Sequence, residues 1–232
     1  MDMRLCLKYS LEEEGCFLSH LDLMRLMERA FRRANLPLAF SEGFNPHPRV
    51  SFASALAVGV TSEGEYLDVQ LRENIPIQEV QKRLNMALPS GIKILESIAI
   101  TKRKDSLMAL INMARYRVAI SLVELVSQKE VDFIISRVIS QTSYCVFRRS
   151  KRGERQVDIR PGLFRLEGTV KDDKLFLEMD VQAGSQGNVK PTEVVKMLRE
   201  LSPAILGDNL NIHRLGLYIL NNNEIKNPLE IS

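Results

Sequence analysis

Apolar residues first alternate along the chain and then recur at a longer period. Leu5, Leu7 and Tyr9 occupy every second position, which predicts a strand with one buried face. Over residues 19–35 the apolar positions recur at helical spacing and arginines lie opposite them, which predicts an amphipathic helix. Pro37 blocks its continuation.

The rest of the chain completes two sets of elements in the same order. Strands in RVSFAS and EYLDVQL, a helix in IPIQEVQKRLNMAL and a strand in GIKILESIAI complete the β-α-β-β-α-β order of ferredoxin-like folds. The second half has strand patterns in YRVAISL, TSYCVFRRS, LFRLEGTV, KLFLEMDV and NIHRLGLYIL, with helices in EVDFIISRVIS and KPTEVVKMLREL. LFRLEGTV is expected to pair with KLFLEMDV through the KDDK turn. We therefore predict an α+β protein of two tandem ferredoxin-like units with antiparallel sheets.

A charged stretch, TKRKD, interrupts the apolar periodicity between the two halves. We place a first ferredoxin-like domain at 1–101, a linker with a short helix at 102–114, and a second domain with a basic hairpin at 115–232. The chain length of 232 residues fits two domains of about 100 residues each.

The composition is that of a folded protein, with 45% hydrophobic and 26% charged residues. A net charge of +3 is compatible with an acidic partner without requiring one. The three cysteines are widely spaced, which argues against a disulfide scaffold or a zinc ribbon. The same cysteine pattern favours the reducing cytoplasm. Since no apolar run approaches the roughly 18 residues that cross a membrane, we expect a soluble protein.

The stretch EGFNPHPR interrupts a pattern that otherwise begins and ends like a strand. Gly43 permits positive φ, whereas Pro46 and Pro48 stiffen the backbone and cannot pair in a central strand. We predict a rigid recognition loop with Phe44 packed inward as its anchor; the alternative is a β-bulge or wide turn with a structural role only. The residues expected to bind a ligand in this region are His20, Arg29, Arg32, Asn45, His47 and Arg49.

The start of the first predicted helix has a structural and a chemical interpretation. Ser19 and Asp22 match a capping box, while His20 lies at the positive end of the helix, where a phosphate is favoured. His20, Asp22 and His47 also have the chemistry of a metal or acid/base site, but no motif fixes their distances. We therefore predict no metal site and assign no catalytic residue.

The clearest charge feature is the segment RRSKRGERQVDIR. Arginines at a hairpin-like tip can clamp phosphates or stack on bases, although a basic loop is often only solvated. We predict a nucleic-acid contact there. Its residues are Arg148, Arg149, Lys151, Arg152, Arg155 and Arg160.

Four strings together carry a family resemblance: SHLDLMRLMERAFRRANLPLAFSEGFNPHPRVSFA, SEGEYLDVQL, QVDIRP and HRLGLYI. They resemble the radical SAM-linked protein family, a bacterial domain of unassigned function, in its stand-alone form. The resemblance implies an accessory role beside a cobalamin-type radical SAM protein. This chain lacks a closely spaced cysteine triad for an iron-sulfur cluster, so the cluster, SAM and cobalamin are expected on the partner only, with no cofactor here.

We expect an accessory, non-catalytic module that binds RNA or another phosphate-bearing substrate for a radical SAM partner. One alternative is an RNA endonuclease like the RAMP-type nucleases, using histidine acid/base chemistry; it rests on fold analogy, which does not specify function. A second alternative is a purely structural protein partner.

Overall fold

The structure, a computed structural model, describes residues 2–150, 153–202 and 206–232. It has α+β architecture with mostly antiparallel strand pairing, as the sequence predicts. Contacts divide the chain into two compact units, one formed by Met1–Asn112 with Arg214–Ser232 and the other by Met113–His213.

Five helices are described: α1 (His20–Arg33), α2 (Ile77–Ala87), α3 (Leu107–Leu110), α4 (Gln128–Ser140) and α5 (Pro191–Leu201). The described strands are β1 (Met3–Leu11), β2 (Val50–Phe52), β3 (Thr61–Leu71), β4 (Ile92–Ala99), β5 (Met113–Leu122), β6 (Cys145–Ser150), β7 (Gly153–Asp158), β8 (Leu163–Lys171), β9 (Lys174–Gln182), β10 (Leu206–Asn221) and β11 (Glu224–Lys226).

Local signals explain where α1 begins and which face it buries. The backbone N–H of Asp22 donates to Ser19 Oγ at 3.2 Å, so Ser19 caps the helix as predicted. The Asp22 carboxylate accepts a hydrogen bond from the Ser19 hydroxyl at 2.6 Å. Leu23, Met27 and Phe31 form part of the buried face of α1.

The sheet of the first unit has β1 at its centre, paired antiparallel with β3 and β4. Leu7 of β1 lies opposite Leu67 of β3, and both are fully buried in the hydrophobic core. The predicted strand in RVSFAS contracts to the three residues of β2, which pair antiparallel with β3. The part of β10 that belongs to this unit lies beside β3, where Gly64 and Gly216 approach closely.

In the second unit, β5 pairs antiparallel with β9, and β9 pairs antiparallel with β8. The pairing of LFRLEGTV with KLFLEMDV is therefore confirmed. The strand predicted in TSYCVFRRS does not join this sheet: as β6 it pairs with β7 in a separate two-stranded sheet.

The contact-based units differ from the predicted domain ranges at two places. Residues 214–232, assigned by sequence to the second domain, group with the first unit. The predicted linker at 102–114 is packed, since Arg103 donates to Asp68 at 2.6 Å and Leu107 of α3 is buried. The finer interpretation as tandem ferredoxin-like units stays a prediction.

Across residues 2–150, 153–202 and 206–232, no helix combines the length and the apolar character needed to cross a membrane.

Candidate functional site

The loop in EGFNPHPR is closed at its base by reciprocal hydrogen bonds. The N–H of Ser41 donates to the carbonyl of His47 at 2.8 Å, and the N–H of His47 donates to Ser41 Oγ at 3.0 Å. Phe40 and Pro48 form an isolated β-bridge just outside this pair. Gly43, at φ +119°, turns the chain within the loop. The ends of the loop are thus fixed, whereas residues 42–46 are exposed.

Phe44 is fully exposed, so the prediction that it packs inward is wrong. The bonds between Ser41 and His47 close the loop before the chain can return to the core. Phe40, outside the closed loop, takes the expected anchoring role and packs against the core of the first unit. The loop therefore presents an aromatic ring to solvent.

Two arginines flank Phe40 at the base of the loop. Arg49 donates from Nε to the Phe40 carbonyl at 3.3 Å and from Nη1 to Gln70 Oε1 at 3.2 Å. The Arg72 guanidinium carbon lies 5.6 Å from the centroid of the Phe40 ring, within the range of a cation–π contact. These contacts orient both guanidinium groups beside the loop.

Sequence reasoning missed Arg72, because it follows the end of β3 in no recognisable motif and is 23 positions from Arg49 along the chain. Strand pairing brings the two together: the N–H of Gln70 donates to the Arg49 carbonyl at 3.0 Å. The exposed residues Phe44, His47, Arg49 and Arg72 are called the loop surface from here on.

The other candidate ligand residues of the first unit have different surroundings. His20 is half-buried, and its ring packs edge-on against Phe52 with 5.6 Å between centroids. Arg29 and Arg32 lie on the exposed side of α1, and Asn45 is exposed in the loop. His20 is thus held by aromatic packing at the start of α1, whereas the other three side chains are accessible.

Among the residues that the structure describes, no three His, Cys, Asp or Glu side chains converge to hold a metal ion. His20, Asp22 and His47, considered together from the sequence, form no such group. The geometry of the loop surface instead combines an aromatic ring with guanidinium groups, which is the chemistry of stacking and of phosphate binding.

Two arginines of the predicted basic segment have intramolecular partners. Arg148 donates to Glu193 from Nη2 at 2.6 Å and from Nε at 2.9 Å, which ties β6 to α5. Arg160 donates to the carbonyls of Leu163 and Ile139 at 2.9 and 2.7 Å. Contacts within the protein therefore hold both side chains in place.

The rest of that segment is more accessible. Arg149 is almost fully exposed, and its Nε lies 3.5 Å from Glu154 Oε1. Arg155 is also exposed. Lys151 and Arg152 lie outside the described residues. Phe147 is 68% exposed on β6 and is absent from the residues predicted from the sequence. It lies between Val146, which is buried, and Arg148, which is paired with Glu193. The alternation of side chains along a strand is the signal that could have identified it.

The family comparison places this chain among bacterial proteins. Residues 4–191 match the family described as "Uncharacterized protein conserved in bacteria (DUF2344)". The chain belongs to this family. The family description does not mention radical SAM proteins, so the association with a radical SAM partner stays a prediction. The comparison with curated proteins finds no match.

Solved structures resemble the chain at low identity. A Cbf5-Nop10-Gar1 complex matches at 12% identity and a TM-score of 0.45, covering 91% of this chain and 47% of that chain. The archaeal box H/ACA sRNP Nop10-Cbf5 complex matches at 10% identity and a TM-score of 0.41, covering 89% and 46%. An unknown protein from Galdieria sulphuraria matches at 12% identity and a TM-score of 0.28, covering 93% and 98%. This chain spans about half the length of the first two, and similarity at this level supports no argument.

Proposed function

We propose that this family member is a non-catalytic module of the bacterial cytoplasm that binds RNA through the loop surface. The observation that carries the proposal is the full exposure of Phe44 on a loop whose base is closed. A fully exposed phenylalanine gains nothing from folding, whereas its ring can stack on an unpaired base, an interaction worth about 1–3 kcal/mol.

The charges beside the ring support the same ligand. Arg49 is held by Phe40 and Gln70 through Nε and Nη1, and a guanidinium carries five N–H donors in all. Donors therefore remain available for phosphate oxygens. Since the loop base is already ordered, little conformational entropy is lost when a ligand binds.

We also propose that the chain contains two ferredoxin-like units. The order β4-β1-β3 with β2 on β3, and the order β10-β5-β9-β8, support two ferredoxin-like units, the second with the β6–β7 hairpin as an insertion. Exposed Arg149 and Arg155 on this hairpin supply a second basic surface for the same kind of ligand.

The radical SAM partner rests on the sequence resemblance alone. The same resemblance assigns the iron-sulfur cluster, SAM and cobalamin to the partner. A tagged chain expressed in its own bacterium is expected to recover a radical SAM protein. Recovery of none under conditions that preserve complexes would remove this part of the proposal.

RNA binding is tested by fluorescence anisotropy with a labelled RNA hairpin that has a single-stranded loop. Affinity is expected to fall steeply as salt rises, because neutralised phosphates release counterions. Arg49→Ala and Arg72→Ala should each reduce the slope of log affinity against log salt concentration by about 1. Phe44→Ala should lower the affinity about tenfold and leave this slope unchanged.

Phe133→Ala is the matched control, because Phe133 is 63% exposed on α4 of the second unit. Equal effects of the Phe44 and Phe133 substitutions, or binding independent of salt, would contradict the proposal. The same reactions are resolved on a gel: cleavage by the wild type that His47→Ala abolishes would make the protein a nuclease instead.

A further inference from the structure

A second surface of the first unit exposes apolar side chains close together. Phe17 is 74% exposed, Leu21 is 62% exposed and Val58 is 59% exposed. The N–H of Gly59 donates to the carbonyl of Cys16 at 2.8 Å, which brings the chain at Val58 beside the chain at Phe17. Leu21 follows in the first turn of α1. Single exposed apolar residues are ordinary, but three in neighbouring segments form a patch.

The charged residues in the segments that carry this patch are acidic. Segments 12–22 and 53–63 contain no lysine or arginine, whereas residues 25–33 of α1 contain four arginines. The exposed Glu12, Glu13 and Glu14 of the turn before α1 carry negative charge, as does Asp22 at the start of the helix. Arg25 Nη1 lies 3.9 Å from Asp22 Oδ1, so the glutamates carry most of the negative charge that a basic partner would face. The acidic apolar surface consists of Phe17, Leu21 and Val58 with Glu12, Glu13, Glu14 and Asp22.

The turn that carries Phe17 is held by backbone contacts. The N–H of Glu12 donates to the carbonyl of Gly91 at 2.8 Å, and the N–H of Cys16 donates to the carbonyl of Glu12 at 3.0 Å. A Cβ atom at Gly15 would lie 2.8 Å from the Gly91 carbonyl oxygen, so only glycine allows this close approach. The turn is therefore fixed against the end of the sheet.

A buried ion pair holds the segment that carries Val58. Arg214 donates from Nη2 to the carbonyl of Ala55 at 3.3 Å, while its Nη1 donates to Glu65 at 2.9 Å. Both charged side chains are almost completely buried. The exposed apolar residues thus lie on segments that are ordered before any partner arrives, which lowers the entropic cost of binding.

We propose that the acidic apolar surface docks a basic amphipathic helix of a protein partner. A helix with one apolar stripe and lysine or arginine on its flanks matches both features, since its stripe would cover Phe17, Leu21 and Val58 and its flanks would face the carboxylates. The acidic apolar surface shares no residue with the loop surface that is proposed to bind RNA. The inference is therefore independent of the proposed RNA binding.

The test uses two labelled synthetic peptides of about 18 residues with leucines at helical spacing. One carries lysines at the remaining positions and the other carries glutamates. Fluorescence anisotropy is expected to show binding of the lysine peptide and none of the glutamate peptide. The double substitution Phe17→Ser with Leu21→Ser should weaken binding at least about tenfold.

Leu125→Ser is the matched control, because Leu125 is 89% exposed in the second unit. It should leave the affinity for the lysine peptide unchanged. Equal weakening by the control, equal binding of both peptides, or no binding of the lysine peptide would each overturn the inference. The double variant should still bind the RNA hairpin, so loss of RNA binding alone would affect the proposed function and not this one.

Discussion

Glu65 and Arg214 form an ion pair in the interior of the first unit although 149 positions separate them in the sequence. Arg214 Nη1 donates to both carboxylate oxygens, at 2.9 and 3.0 Å. The Ser62 hydroxyl donates to the same carboxylate at 2.8 Å. Because all three residues are buried, the pair links β3 to β10 where water cannot replace either partner.

Removing one member of this pair should strongly destabilise the protein. Arg214→Met leaves the Glu65 carboxylate buried without its main partner, and such losses cost about 3–5 kcal/mol. The free energy of unfolding, measured by urea denaturation, should fall by this amount. The exposed Arg29→Ala should change it by less than about 0.5 kcal/mol.

A double variant tests the physical cause of that loss. Glu65→Leu with Arg214→Met removes both charges and keeps comparable volume, so it should be more stable than Arg214→Met alone. A double variant that is destabilised by the sum of the two single effects would show that the ion pair itself is not responsible.

Local signals explain which parts of the fold could be predicted from the sequence. The alternation at Leu5, Leu7 and Tyr9 and the capping residue Ser19 act within a few positions, and β1 and α1 begin where they indicate. The grouping of residues 214–232 with the first unit depends on contacts such as that between Glu65 and Arg214. No local pattern reports a partner 149 positions away.

The same limit applies to the hairpin formed by β6 and β7. The basic sequence pattern predicts the same role, contact with nucleic acid, for Arg148 and Arg149. Arg148 donates to Glu193 of α5 at 2.6 Å and is mostly buried, whereas Arg149 is almost fully exposed. The two neighbours therefore have different surroundings, because successive side chains of a strand point to opposite faces.

Arg148→Ala should destabilise the protein much more than Arg149→Ala. The first substitution leaves the shielded Glu193 carboxylate without its ion pair and should cost about 2–3 kcal/mol. The second removes a surface pair worth about 0–1 kcal/mol. Thermal unfolding followed by circular dichroism compares the two variants, which serve as each other's control. Equal losses would show that the hairpin is not anchored through Arg148.

The cysteines should differ in reactivity because their thiols differ in burial. Cys6 and Cys16 are buried and Cys145 is exposed. Burial raises the pKa of the Cys6 thiol to about 12, and the negative charge of Asp68 adds to the effect. Since the thiolate is the reactive form, a disulfide reagent at about pH 8 should modify a single thiol of the native protein.

Cys145→Ser should abolish the native reaction, while urea should expose the two remaining thiols. Continued rapid modification of the folded Cys145→Ser variant would contradict the assignment. The raised pKa also predicts a pH dependence: between 9.0 and about 12 the thiol ionises in the unfolded chain but not in the folded one. The free energy of unfolding should therefore fall as the pH rises through this window. It should fall less in the Cys6→Ala variant than in the wild type, because the variant has no thiol at this position to ionise.

The two phenylalanines of the candidate site should differ in how much they stabilise the fold. Phe40 packs against the core and Phe44 is fully exposed, so Phe40→Ala should cost about 2 kcal/mol, whereas Phe44→Ala and His47→Ala should each cost less than about 0.5 kcal/mol. Thermal unfolding measures these differences in the absence of any ligand. If Phe44→Ala or His47→Ala unfolds the protein but leaves RNA binding intact, the loop is structural. If both variants keep their melting temperature and lose affinity for the RNA hairpin, the exposed residues of the loop act in recognition, because their side chains contribute nothing to the core that the substitutions could weaken.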